Sequence, residues 1–296
     1  MSLIRASAVA VSAVLLGTSA TVPATAVSTS ATAPCTMSVG SITPAGNFGG
    51  ASVTATTPPT AEQSTGKHVF TAGITKASST WTNTGAGPDG NSTYYGSVIL
   101  NDTLYFAADH SKPEQGFELT KIGSGWGNFT MVEDAFWQEN FGSPVMASAR
   151  YGLLGGTGVL YRWIDGRRET ASGFASVKAM ALISETRNYD TFLANTRGGA
   201  LYTIRIPRTS PLKPIVTKVR ASTWQTFEAL VADQCGKQST LLTAIDKDTG
   251  SAYLYAVSHA NGTATVINGL GKVPGTYKDP VYYHSTAEGQ PPLNGD

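Results

Sequence analysis

Charge is scarce in this chain, and its scarcity excludes more than any motif does. Only 14% of the 296 residues are Asp, Glu, Lys or Arg, and the formal net charge is +1. A surface so near neutrality has no electrostatic footprint for nucleic acid or for an anionic membrane, so neither partner is expected. Long apolar runs are also missing. The stretch from Ala6 to Leu16 is the nearest approach, and it falls short of the ~18 residues that a membrane span needs, so no membrane insertion is expected. Histidine is limited to His68, His110, His259 and His284, with no His-x-x-x-His pair, and there are only two cysteines. That set leaves no local zinc motif, and neither a Gly-x-Ser-x-Gly elbow nor a Gly-Lys-Ser/Thr phosphate loop occurs. No metal, no cofactor and no catalytic residue is expected. Finally, no stretch of a dozen residues sustains a helical period, which points to an all-β chain.

What is present begins with a secretory signal over residues 1–26. Arg5 supplies the basic start, Ala6 to Leu16 the apolar stretch and Ala24-Thr25-Ala26 the small-residue end, so the mature chain is expected to begin near Val27 and to be extracellular. In that oxidising setting the lone pair Cys35 and Cys235 is expected to form a disulfide closing about 200 residues. Residues 27–66 are rich in Ala, Ser, Thr, Pro and Gly with almost no charge. They read as a low-complexity segment, loose at first, with β-structure around Ala51 to Thr57.

Residues 67–296 carry a repeat. An aromatic anchor recurs at Trp81, Trp126, Phe174 and Trp224, at spacings of 45, 48 and 50 residues, and Phe129 and Phe227 follow two of them three residues on. Between anchors lie hairpin phrases: Tyr94 to Tyr105 across Asn101-Asp102, Tyr151 to Tyr161 across Gly155 to Gly158, Thr191 to Tyr202 across Gly198-Gly199, and Thr240 to Tyr253 across Asp246 to Gly250. A third strand follows each hairpin (Phe117 to Ile122, Lys213 to Val219, Thr263 to Ile267) and a fourth follows each anchor (Phe129 to Phe136, Ser176 to Leu182, Phe227 to Ala232). Such units, too small to bury a core alone, predict a five-bladed β-propeller of four-stranded antiparallel blades. A degenerate fifth anchor is expected near Leu270 to Val273. Val281 to His284 would form a last strand, with an N-terminal strand closing the ring. Packing accounts for the anchors in general. Trp126 is different because Gly123, Gly125 and Gly127 surround it and open the backbone to a ligand.

The passage Lys121-Ile-Gly-Ser-Gly-Trp126-Gly-Asn128-Phe129 resembles the Gly-Trp-x-x-Phe phrase of the tachylectin-like family of five-bladed propeller lectins. Trp224-Gln-Thr-Phe227 keeps the aromatic spacing without the glycines, and Phe174 replaces the Trp; the likeness extends over residues 69–285. The resemblance implies a carbohydrate partner, an N-acetylglucosamine-containing glycan bound between neighbouring repeats. Trp126 would stack on the sugar and Asn128 would hydrogen-bond to it. Two further readings are a secreted glycoside hydrolase with carboxylates at a central mouth and a scaffold for protein partners. Glu133 and Asp134 are a poor catalytic pair, because adjacent strand residues face opposite ways. Asp246-Lys-Asp248-Thr-Gly250 has the opening of a calcium loop but lacks its later ligands, and a hairpin turn explains it.

Overall fold

A computed structural model describes residues 34–296 apart from Asp89; the signal segment 1–26 and the cut near Val27 lie outside the described residues. The N-terminal segment contributes β1 (Thr36–Ile42), β2 (Asn47–Thr54) and β3 (Thr60–His68). Next come β4 (Thr75–Asn83), β5 (Thr93–Leu100), β6 (Thr103–His110), β7 (Phe117–Ser124), β8 (Phe129–Gln138), β9 (Met146–Leu154), β10 (Val159–Ile164) and β11 (Arg167–Ala171). The chain continues with β12 (Val177–Glu185), β13 (Tyr189–Thr196), β14 (Leu201–Pro207), β15 (Ile215–Arg220), β16 (Ala229–Gln234), β17 (Thr240–Asp246), β18 (Ser251–Val257), β19 (Ile267–Val273) and β20 (Val281–Ala287). Among the described residues the one helical element is a 3-10 turn, Gly262–Ala264, and no helix is long and apolar enough to cross a membrane. That turn occupies the start of the strand expected at Thr263 to Ile267, so β19 begins later.

The strands form one eight-stranded mixed sheet, in the order β3-β2-β1-β20-β4-β5-β6-β7, and three four-stranded sheets, β11-β10-β9-β8, β12-β13-β14-β15 and β16-β17-β18-β19. This overturns the expected five-bladed propeller of four-stranded antiparallel blades: among the described residues the sheets are not five, one is not purely antiparallel, and none is closed. The physical cause is the C-terminal strand. β20 pairs antiparallel with β1 (Val39 opposite His284) and parallel with β4 (Ser285 opposite Trp81, Ala287 opposite Asn83), so its ladder fuses the N-terminal strands with β4 to β7. The N-terminal segment, expected to be loose at first with β-structure around Ala51 to Thr57 and one ring-closing strand, supplies three strands.

Position in a sheet explains composition. β13 and β17 are buried along nearly their whole length and are mainly apolar and Thr, as strands covered on both faces are, with Asp190 and Asn195 the buried exceptions in β13. β7, β11 and β15 lie at sheet edges, are largely exposed, and carry Lys121, Arg167, Arg168 and Lys218, charges that oppose edge-to-edge pairing. The core is shared between neighbouring sheets. Tyr151 and Leu160 pack with Phe192 and Ile204, Leu193 and Leu201 with Trp224 and Leu242, and Leu241 and Leu254 with Met37 and Val53. Within the eight-stranded sheet Ile42 and Phe48 pack with Trp81 and Val98, and across to the next sheet Ile99 and Leu104 pack with Trp126 and Phe129. The Cys35–Cys235 disulfide is formed, tying the chain before β1 to the end of β16 across a Cα–Cα distance of 5.7 Å. Closing so long a loop stabilises the fold by roughly 2–4 kcal/mol.

Candidate functional site

One backbone hydrogen bond defines the repeat better than the aromatic spacing does. The N–H groups of Phe70, Trp126, Phe174, Trp224 and Tyr277 each donate, at 3.0 Å, to a turn carbonyl of a preceding hairpin: Gly46, Asp102, Gly158, Gly199 and Gly250 respectively. The returning chain passes so close that a Cβ on Gly46 would lie 1.8 Å from the Phe70 carbonyl oxygen, and one on Gly158 would lie 1.9 Å from the Ala175 nitrogen. Both glycines also have positive φ, so only Gly fits there. Trp81, expected to be an anchor, is instead an interior residue of β4, fully buried beside Phe48, Tyr94 and Tyr283, with its Nε1 donating to Ser78 Oγ at 2.7 Å. Phe70 holds the anchor position. The degenerate anchor expected at Leu270 to Val273 is Tyr277.

At Trp126 the turn is built from Asn101, in the left-handed region at φ 51°, and Asp102. The Asp102 carboxylate accepts the N–H groups of Gly125 and Gly127 at 3.0 and 2.9 Å, which fixes the loop around the ring. Trp126 is only 7% exposed. Its ring centroid lies 4.5 Å from that of Phe129 and 4.8 Å from that of Trp163, which in turn stacks on Tyr161. This packing leaves no open ring face for a sugar and gives Trp126 a structural task. Asn128 is exposed, and its carbonyl accepts the Gly155 N–H at 2.8 Å.

Asn128 borders an open cavity of about 810 Å³ whose wall also carries Lys76, Thr130, Lys178, Glu228 and Lys247. These same five residues line the entrance to a narrower space of about 140 Å³, into which β4, β8, β12, β16 and β20 send Thr80, Glu133, Met180, Val231 and His284. Glu228 organises the mouth. Its Oε1 takes the Lys178 ammonium and its Oε2 accepts the Lys247 N–H at 2.7 Å, joining β12 to the β17–β18 turn. The Lys247 ammonium donates to the Pro280 carbonyl at 2.9 Å, and burial pushes its pKa down.

Further in, carboxyl groups cap strand edges. A register shift between Ser78 and Trp81 frees the Thr80 N–H, which donates to Glu133 Oε1 at 2.8 Å. The Phe136 N–H on the open edge of β8 donates to Glu185 Oε1 at 2.8 Å. Each carboxyl joins its own strand to the neighbouring sheet. Glu133 is half-buried at the cavity, and burial raises its pKa to about 7 against the opposing pull of the Thr80 N–H. Burial likewise raises Glu185 to about 8, helped by the charges of Asp190 and Glu133. Asp134 turns away and pairs with Arg150, its Oδ1 2.6 Å from Nε, so the neighbouring acids do separate by strand alternation. His284 Nε2 lies 3.2 Å from Asp233 Oδ2. Among the described residues no three His, Cys, Asp or Glu converge on a metal site, and the Asp246 carboxylate caps its own turn at the Thr249 N–H, 2.9 Å away.

Lys76, Lys178, Glu228 and Lys247 did not emerge from sequence reasoning because they are spread over about 170 residues and no local motif links them. A signal did exist: Thr130, Lys178 and Glu228 each stand four residues beyond an anchor (Trp126, Phe174, Trp224) and all three face the mouth. Comparison with protein-family models and with curated proteins finds no match for this chain, so the site rests on its geometry.

Proposed function

We propose that this is a secreted carbohydrate-binding protein without catalytic activity that seats an N-acetylated amino-sugar glycan in the open cavity beside Asn128. The observation that carries this reading is the cavity itself. Its volume of about 810 Å³ falls within the ordinary range of ligand sites. Its wall presents an amide at Asn128, hydroxyls at Thr130 and Thr157, and backbone groups at Gly155 and Gly156. That inventory of donors and acceptors matches a hydroxyl-rich ligand. Because Trp126 is covered, recognition relies on hydrogen bonds, with Asn128 as the side chain to test. Secretion draws on the signal-like residues 1–26 and accords with the Cys35–Cys235 disulfide.

Binding is preferred to hydrolysis for a structural reason. Glu133 sits in the narrow space, and Glu228, the other carboxyl lining it, is already held by Lys178 and the Lys247 N–H. A glycosidase needs two carboxyl groups free on either side of one sugar bond. Calorimetric titration of the purified protein with N-acetylglucosamine and short chitin oligomers tests the proposal. Saturable binding that Asn128→Ala weakens, with an unchanged circular dichroism spectrum, is the expected result. A folded protein that binds neither sugar overturns it.

A further inference from the structure

We propose that the cavity at Asn128 selects a carboxylated sugar, with the carboxylate seated against Lys76, Lys178 and Lys247; this rests on the carbohydrate-binding reading of the same cavity. The three ammonium groups come from separate parts of the chain: β4, β12 and the β17–β18 turn. In a protein with 14% charged residues, their meeting at one concave wall is a local feature and not a sample of the general surface. Glu228 is the one carboxylate on the wall of that cavity, so three cations face a single anion.

The hydrogen bonds show where charge is left over. Glu228 takes the Lys178 ammonium on one oxygen and a neutral backbone N–H on the other. The Lys247 ammonium donates its hydrogen bond to the neutral Pro280 carbonyl, with the charges of Glu228 and Asp248 acting on it without direct contact. Lys76 is exposed and has no ion-pair partner among the described residues. Lys76 and Lys247 therefore make no direct ion pair, and in a concave wall where three ammonium groups face one carboxylate a low-dielectric surround focuses the field on an incoming anion. The donors are ammonium point charges with no guanidinium fork among them, and the rest of the wall offers an amide, hydroxyls and backbone groups. An anion carried on a polyhydroxyl body satisfies both halves of this surface.

The test is a matched pair of ligands. N-acetylmuramic acid is N-acetylglucosamine bearing a lactyl carboxylate, so the two differ in the group at issue. At low ionic strength the acidic sugar is expected to bind on the order of tenfold more tightly, and added salt should shrink the difference. Lys76→Gln, at an exposed side chain with no ion pair to lose, should abolish most of the preference for the acidic sugar over N-acetylglucosamine. Equal affinity for the two sugars, or a preference unchanged in Lys76→Gln, overturns the inference and leaves the carbohydrate reading intact. Affinity for neither sugar overturns both.

Discussion

The Trp126 and Trp224 junctions reach one geometry with opposite polar devices. In each, the Trp N–H donates at 3.0 Å to a hairpin turn, and a Phe three residues on packs against the indole. At Trp126 the clamp is an acceptor: the exposed Asp102 carboxylate gathers the Gly125 and Gly127 N–H groups. At Trp224 it is a donor: the fully buried Asn195 amide gives its Nδ2 hydrogens to the Trp224 and Phe227 carbonyls at 2.7 and 2.8 Å, while its Oδ1 accepts the Ala179 N–H. The difference continues along the following strand. Seven residues beyond Trp126 stands Glu133, and seven beyond Trp224 stands Val231, both lining the narrow central space. The repeat thus conserves a backbone path and a ring volume while the polar chemistry around them varies.

Removing the rings should have the largest effect and should treat the two junctions alike. Trp126→Ala and Trp224→Ala are each expected to lose about 3–5 kcal/mol in urea unfolding, the usual loss for a buried Trp. A loss below about 1 kcal/mol at Trp126 alone would return that ring to the list of ligand-binding groups. Removing the clamps should separate the junctions. Asn195→Ala strands two buried carbonyls and one N–H and is expected to destabilise by about 1–3 kcal/mol, whereas Asp102→Ala frees N–H groups that water can reach and should cost about 0.5–1.5 kcal/mol. Equal losses at the two positions would mean that burial does not set the difference.

The smallest effect is a pH dependence to which the acids of β8 and β12 contribute. Glu133 and Glu185 hold their protons up to about 7 and 8, above the ordinary carboxyl range. The native state therefore binds protons that the unfolded chain has released. Their contribution to stability is full below the ordinary carboxyl pKa and is lost as pH rises through about 7 and then about 8. Melting temperature should fall between about pH 5 and about pH 8, and Glu133→Gln and Glu185→Gln should each flatten that fall. A slope unchanged in both variants would remove these two carboxyls as its source.

Much of the local structure was legible in the chain. The turn at Asn101-Asp102 and the Gly-rich turns at Gly158, Gly199 and Gly250 marked hairpins that all form, because turn chemistry and strand alternation act over a few residues. Trp81 misled because a buried indole inside a strand and an indole at a junction look the same in composition. Phe70 and Tyr277 were missed as anchors because the backbone bonds that define them, to Gly46 and Gly250, leave no mark in composition, and neither ring stands in a phrase like Trp126-Gly-Asn-Phe129. Trp163 gave no signal at all; it follows the Leu160-Tyr161 phrase and meets Trp126 only through packing between sheets.

The sequence by itself determined an all-β chain, its hairpins, the recurrence of a large ring at a fixed place and the pairing of its two cysteines, since each follows from residue chemistry or from there being only one possible partner. The tertiary structure alone decided that β20 joins β1 to β4 in an eight-stranded sheet, that Trp126 is covered while Asn128 is open, and that Lys76, Lys178, Glu228 and Lys247 share one wall. Those outcomes depend on contacts between residues up to about 250 positions apart, where strand pairing and burial choose among arrangements that are equivalent in local terms.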